Sequence, residues 1–184
     1  MAEFILHNKS VKAKSITAVL AVISAIALPQ VFHVVGAVSG LGSALGASFL
    51  PMHLPVLLAA FLAGPVVGVF AGLISPIISF LLSGMPASTI LPFMALELAT
   101  YGLVGGLLRN TKMPVFAKLV LVQLAGRAVR AIAVLLAVYA FGGSDALLSQ
   151  LPEMVLVALP GILLQWALIP LLVYRMEGLK KYYE

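Results

Sequence analysis

Long apolar stretches, separated by short polar or Gly/Pro-containing breaks, run along almost the whole chain. Most of these stretches are close to the length of about 20 residues that an α-helix needs to cross a bilayer core. We therefore predict an all-α integral membrane protein with six transmembrane helices, forming a single domain over residues 1–184. The predicted spans are Ser15–Val35, Phe49–Ala63, Pro65–Leu82, Ile90–Leu108, Val115–Phe141 and Pro152–Tyr174.

Two of the breaks have further consequences. Only Gly64-Pro65 separates the short second span from the third, which predicts either a tight helical hairpin or a partly re-entrant unit. The connection Gly36–Ser48 is rich in Gly, Ala and Ser. It is either a flexible linker or a mobile flap over a cavity that opens outward.

Basic residues occur in only some of the connections. They precede the first span, fill the connection between spans four and five, and follow the sixth. The other three connections contain no Lys or Arg. By the positive-inside rule, both termini and the four–five connection lie in the cytoplasm of a multi-pass protein of the cell membrane. The basic residues that indicate this orientation are Lys9, Lys12, Lys14, Arg109, Lys112, Lys118, Arg175, Lys180 and Lys181.

Composition narrows the possible functions. With 62% hydrophobic and 9% charged residues, a soluble domain is excluded, and the net charge of +5 is explained by cytoplasmic flanks rather than by nucleic acid. The absence of Cys excludes disulfides and thiolate metal sites. No HExxH-like spacing, acidic cluster or Gly-rich phosphate loop is present. We predict no catalytic site, no metal site and no cofactor, so any ATP would be hydrolysed by partner subunits.

Polar residues inside the spans are the main candidates for function, because ionisable groups at bilayer depth are costly. In span five, Gln123, Arg127 and Arg130 share one helical face, and in span four Glu97 and Tyr101 share another. Glu97 is expected to pair with one of the two arginines. The pair either joins helices or leaves the second arginine for an anionic or strongly accepting ligand group.

Further candidates lie at the outer ends and in the middle of other spans. The two histidines nearest the outer side either sit at the interface or bind a ligand, and the single Trp either packs in the core or stacks on a flat ring. The predicted binding site comprises Gln30, His33, His53, Glu97, Tyr101, Arg127, Arg130, Gln165 and Trp166.

Two segments resemble a known family. FLPMHLPVLLAAFLAGPVVGVFAGLISPIISFLLSGMP (Phe49–Pro86) and LPFMALELATYGLVGGLL (Leu91–Leu108) are similar to S components, the substrate-binding subunits of energy-coupling factor (ECF) vitamin importers, in the riboflavin/folate/pantothenate-like group. The resemblance implies the riboflavin-transporter-like six-helix fold, cytoplasmic termini and a vitamin held near the outer face under the first loop. It also implies a transmembrane coupling subunit, two ABC-type ATPase subunits, and a docking patch of small residues at Ala18, Ala21 and Ala25 on the first helix.

The predicted function is therefore high-affinity capture of a small B-type vitamin or precursor for ATP-driven uptake. Trp166, two histidines and an Arg/Glu pair favour a hydroxylated ring such as pyridoxine or hydroxymethylpyrimidine. A carboxylate such as pantothenate, which would use the spare arginine, comes next. The alternative is a channel or secondary carrier that moves a small solute without partners.

Overall fold

Eight α-helices and one short 3-10 helix make up the described part of the chain. The computed structural model describes residues 2–42, 44–176, 178 and 183, with the backbone alone for residues 2–9 and 153. Position 43 of the first connection, Lys180 and Lys181 therefore lie outside the described residues, as do the side chains of Lys9 and Glu153. The helices are α1 Ala2–Val38, α2 Ala44–Phe49, α3 His53–Ala63, α4 Pro65–Ser83, α5 Leu91–Leu108, α6 Val115–Tyr139, the 3-10 helix Asp145–Ser149, α7 Gln150–Leu156 and α8 Leu159–Met176.

Six segments of the described chain are long and apolar enough to cross a membrane, which confirms the predicted fold class. No strand occurs among the residues that the structure describes. Five of the spans are single helices, while α2 and α3 together supply the second. The spans are Ser10–Val38, Ala44–Ala63, Pro65–Ser83, Leu91–Leu108, Val115–Tyr139 and Leu159–Met176.

Helix α3 lies at the centre of the bundle and is buried along most of its length. It contacts α1, α4, α5 and α8. Gly64, with φ of 95°, ends α3, and Pro65 begins α4 without needing a backbone N–H partner. The junction thus forms the tight hairpin, one of the two predicted arrangements.

Helices α4 and α5 approach each other at backbone distance. A methyl group added to Gly68 would collide with the backbone of Gly102, and one added to Gly102 would collide with that of Gly68. Gly72 and Gly106, one turn further along each helix, meet the partner helix in the same way. Small residues spaced by four allow this approach in lipid, where packing replaces the hydrophobic effect as the force that joins helices.

The first connection, Gly36–Ser48, contains helical segments at both of its ends. Helix α1 continues to Val38, and α2 begins at Ala44, so most of this segment is helical. The Gly42 N–H donates to the Gly36 carbonyl at 2.9 Å, which folds the chain back over the end of α1. Helix α2 then packs between α1 and α8.

The predicted sixth span is divided in the structure. Helix α7 ends at Leu156, and α8 begins at Leu159 with Pro160 in its first turn, where a missing N–H costs nothing. Only α8 has the length of a span. Helix α7 instead packs against α6 and the 3-10 helix.

The first and last described segments meet at one end of the bundle. Ser10 donates a hydrogen bond to the Tyr183 carbonyl at 2.9 Å, and the hydroxyls of Thr17 and Tyr183 are hydrogen-bonded at 2.8 Å. We call the opposite end, which carries α2, α7 and the α4–α5 connection, the distal end.

Candidate functional site

A charged network joins α5 to α6 inside the bundle. Arg130 donates from Nη1 to Glu97 Oε2 at 2.9 Å, and Tyr101 donates its hydroxyl proton to Glu97 Oε1 at 2.9 Å. The Tyr101 oxygen in turn accepts from Arg127 Nη1 at 2.7 Å. Arg127 also donates from Nε to the Met154 carbonyl at 3.3 Å. Each of these four side chains thus holds another in place. We call Glu97, Tyr101, Arg127 and Arg130 together the polar network.

Helix periodicity and one glycine place these groups opposite one another. Glu97 and Tyr101 lie one turn apart on α5, and Arg127 and Arg130 lie on the facing side of α6. Gly126 provides the space between the helices, because a methyl group there would collide with the Tyr101 ring. The ring therefore packs directly on the α6 backbone, with its hydroxyl between a carboxylate and a guanidinium.

His53 is a further titratable group that lies next to the polar network. It begins α3, is 1% exposed, and packs edge-on against Tyr101 with ring centroids 5.5 Å apart. Its Nε2 lies 3.9 Å from Glu97 Oε1, beyond hydrogen-bonding distance, and neither ring nitrogen has a hydrogen-bond partner. A buried histidine with both nitrogens unpaired is expected to bind something that is not part of this chain.

These groups border a cavity of about 400 Å³ at the distal end. Its walls come from helices α1 to α7 and from the α4–α5 connection. Its polar lining residues are His33, His53, Ser79, Glu97, Arg127, Arg130 and Gln150. The size falls within the range of small-molecule sites, which are mostly apolar with a few placed polar groups.

Most of the remaining lining is apolar, and four of the seven methionines contribute to it. Met52, Met85, Met94 and Met154 form what we call the methionine wall. No group of three or more His, Asp or Glu side chains that could hold a metal ion occurs among the described residues. The arrangement is suited to binding and orienting an organic molecule.

Comparison with known proteins decides the family. The family model described as "ECF transporter, substrate-specific component" matches residues 15–174, which covers all six spans almost completely. No curated protein and no solved structure matches the chain significantly.

The chain belongs to the ECF transporter S components. It is accordingly a multi-pass membrane protein and the substrate-binding component of a transporter, a family whose members are not enzymes. Members of this family work in a complex with coupling and ATPase modules and bind a small-molecule substrate.

Five of the nine predicted site residues of this S component line the cavity: His33, His53, Glu97, Arg127 and Arg130. Tyr101 lies just beneath it as part of the polar network. The His33 ring packs against Gly46, so α2 contacts the site directly.

The other three predicted site residues are placed elsewhere. Gln30 donates to the Ser83 hydroxyl at 3.0 Å in an exposed position between α1 and α4. Gln165 accepts from Gln123 at 2.8 Å, and the Trp166 indole donates to Gln123 at 2.7 Å. The Trp166 ring packs edge-on against Phe116, near the start of α6. Because Trp166 turns away from the cavity toward α6, this geometry does not support its predicted stacking on a ligand ring.

The three alanines predicted to dock a partner lie at the packed face of α1. Ala25 is fully buried, Ala21 is 7% exposed, and half-buried Ala18 packs against the same core. Their small side chains let α1 approach the protein's own helices closely. In this structure Ala25 packs inside the bundle and Ala21 lines a second cavity beside α3, and the docking role of the three alanines stays a prediction.

Gln150 and the methionine wall were not predicted from the sequence. Gln150 lay just outside the predicted sixth span, and methionine is equally suited to a lipid-facing position. One signal was available: Met85 adjoins Pro86 in the connection between the third and fourth spans, and Met52 adjoins Pro51 near the start of the predicted second span.

Proposed function

We propose that this S component captures a small water-soluble vitamin or vitamin precursor from outside the cell. Capture takes place in the distal cavity, and the substrate is then released inward through an ECF coupling subunit. Two ABC-type ATPase subunits would supply the energy, since no nucleotide-binding motif was found in this chain. The end where Ser10 and Tyr183 meet would face the cytoplasm, in agreement with the flanking basic residues.

One observation carries the proposal. A cavity of small-molecule size adjoins a buried charged network that contains polar atoms without partners, in a chain that belongs to this family. If these polar side chains served only to join helices, the adjacent His53 would not need two unpaired nitrogens at the edge of a cavity. Pyridoxine, hydroxymethylpyrimidine and pantothenate are the candidate substrates.

Reconstitution tests the role directly. Liposomes that contain the chain alone should bind a labelled vitamin without accumulating it, whereas co-reconstitution with a coupling subunit and ATPases should give ATP-dependent uptake. Flux through the chain alone would instead support a stand-alone channel or secondary carrier. Labelling of single cysteines introduced near residue 12 and near residue 145 tests the orientation, because only the second should react from outside.

A further inference from the structure

We propose that the substrate carries one negative charge and an apolar body. A carboxylate or equivalent anionic group would bind at Arg127 and Arg130, and the body would lie against the methionine wall. This inference rests on the proposed function and names the chemical class of the substrate.

The charge balance of the cavity favours an anionic ligand. Arg130 is matched by Glu97, whereas both hydrogen bonds of Arg127 go to neutral groups, the Tyr101 hydroxyl and the Met154 carbonyl. Among the described side chains that line the cavity, one guanidinium thus has no carboxylate to balance it. Arg127 is only 9% exposed, and a buried charge requires a counter-charge. A monoanionic ligand supplies one.

The unpaired polar atoms are the second argument. Arg130 Nε is buried without an acceptor, and Gln150 Oε1 is buried without a donor. An arginine N–H can only donate, so the ligand must present an acceptor oxygen at α6. The Gln150 oxygen needs a donor, such as a hydroxyl or amide N–H, at α7. The two unpaired His53 nitrogens also lie at the cavity edge, and a neutral imidazole offers one donor and one acceptor there.

The apolar lining is the third argument. Methionine side chains are unbranched and polarisable, and they pack well against rings and branched carbon chains. A cationic ligand would meet two guanidiniums, and a wholly polar one would lose its hydration against the methionine wall. These contacts favour an acid that has an apolar segment and at least one hydrogen-bond donor, and they place a pantothenate-like carboxylate ahead of a neutral pyridoxine-like ring.

Matched acid and neutral pairs test this inference. The purified wild-type protein in nanodiscs would be given an equimolar mixture of pantothenate and pantothenol, biotin and biotinamide, nicotinate and nicotinamide, and 4-pyridoxate and pyridoxine. Bound compounds would be identified by mass spectrometry and their affinities measured by calorimetry. We expect an acid to be retained and to bind on the order of 100-fold tighter than its neutral partner. This comparison does not depend on any variant folding.

Arginine variants then locate the anion. Arg127→Gln should abolish the preference for the acid and Arg127→Lys should retain part of it, whereas Arg175→Gln, at an exposed position on α8, should leave it unchanged. Thermal unfolding of each variant verifies the fold. Equal or tighter binding of the neutral partner, or a preference that survives in folded Arg127→Gln, would overturn the inference and leave the proposed function standing. Retention of no compound would also overturn the inference, whereas reconstituted uptake tests the proposed function separately.

Discussion

Arg130 on α6 donates a hydrogen bond to Glu97 on α5 at 2.9 Å, and the Glu97 side chain is 2% exposed. The sequence left open whether Arg127 or Arg130 is the partner of Glu97. The structure gives Arg130 as the direct partner and connects Arg127 to the carboxylate through the Tyr101 hydroxyl. A single carboxylate thus organises two arginines, and one of them remains available at the cavity.

Removing that carboxylate should destabilise the protein. Glu97→Gln leaves two buried guanidiniums without a counter-charge, so we expect a loss of about 3–5 kcal/mol in the free energy of unfolding. The double variant Glu97→Gln/Arg130→Gln removes one positive charge as well and should recover much of that loss. Thermal unfolding in detergent measures both. A double variant less stable than Glu97→Gln alone would contradict the pairing.

Gly126 should tolerate no side chain. The added methyl group of Gly126→Ala would collide with the Tyr101 ring, and moving the ring breaks its hydrogen bonds to Glu97 and Arg127. We expect destabilisation of about 1–3 kcal/mol, typical of overpacking, together with weaker ligand binding. Ala128→Leu, at an exposed position on the same helix, is the matched control. Equal stability of Gly126→Ala and the wild type would refute the close contact.

His53 should affect binding more than stability. Its ring nitrogens have no hydrogen-bond partner in the buried interior, so His53→Leu removes a desolvated polar group without breaking a hydrogen bond. We expect an unfolding temperature equal to or above that of the wild type and a loss of substrate affinity of about tenfold. A variant that is less stable yet binds normally would show that His53 has only a structural role.

Trp166, unlike His53, should affect stability more than ligand binding. It lies outside the cavity lining, and its indole N–H pairs with the buried Gln123 side chain. Trp166→Phe leaves that acceptor unpaired, so we expect a loss of stability of about 1–3 kcal/mol with affinity nearly unchanged. Calorimetry of substrate binding decides the matter. A large loss of affinity in a folded variant would restore the stacking role predicted from the sequence.

Ala25 should be a packing position. Because its side chain is fully buried, Ala25→Leu is expected to lower the stability of the isolated chain by about 1–3 kcal/mol. Ala27→Leu, at an exposed position half a turn away, should not. Thermal unfolding without partner subunits separates the two interpretations. A stable Ala25→Leu variant that fails only to assemble would favour the docking role implied by the family.

Hydropathy and charge predicted the six spans and the residues of the polar network well. Lipid forces guanidiniums such as those of Arg127 and Arg130 into the bundle interior, so their spacing along α6 already indicates which face is inward. Exposing Trp166 or Ala25 to lipid would carry no comparable free-energy cost. An indole or a methyl group is tolerated against lipid, a neighbouring helix or a ligand, and only the rotation and packing of whole helices decides among these surroundings.

Breaks within apolar stretches were harder to predict. The sequence before Pro160 is apolar enough to continue a span, yet the chain starts a new helix there and leaves α7 at the distal end. The position of Gln150 in the cavity depends on that break. Local hydropathy does not distinguish a span from two shorter helices, because both bury similar residues.

The methionine wall has a consequence for how such a protein changes its substrate during evolution. Flexible thioether side chains repack around differently shaped molecules at little cost, so the wall imposes only a weak requirement on shape. In the proposed binding mode, the polar side chains of Arg127, Arg130 and Gln150, which line the cavity, would distinguish one substrate from another. Two or three substitutions there could redirect the same scaffold to another vitamin, while the glycine contacts of α4 and α5 stay as they are.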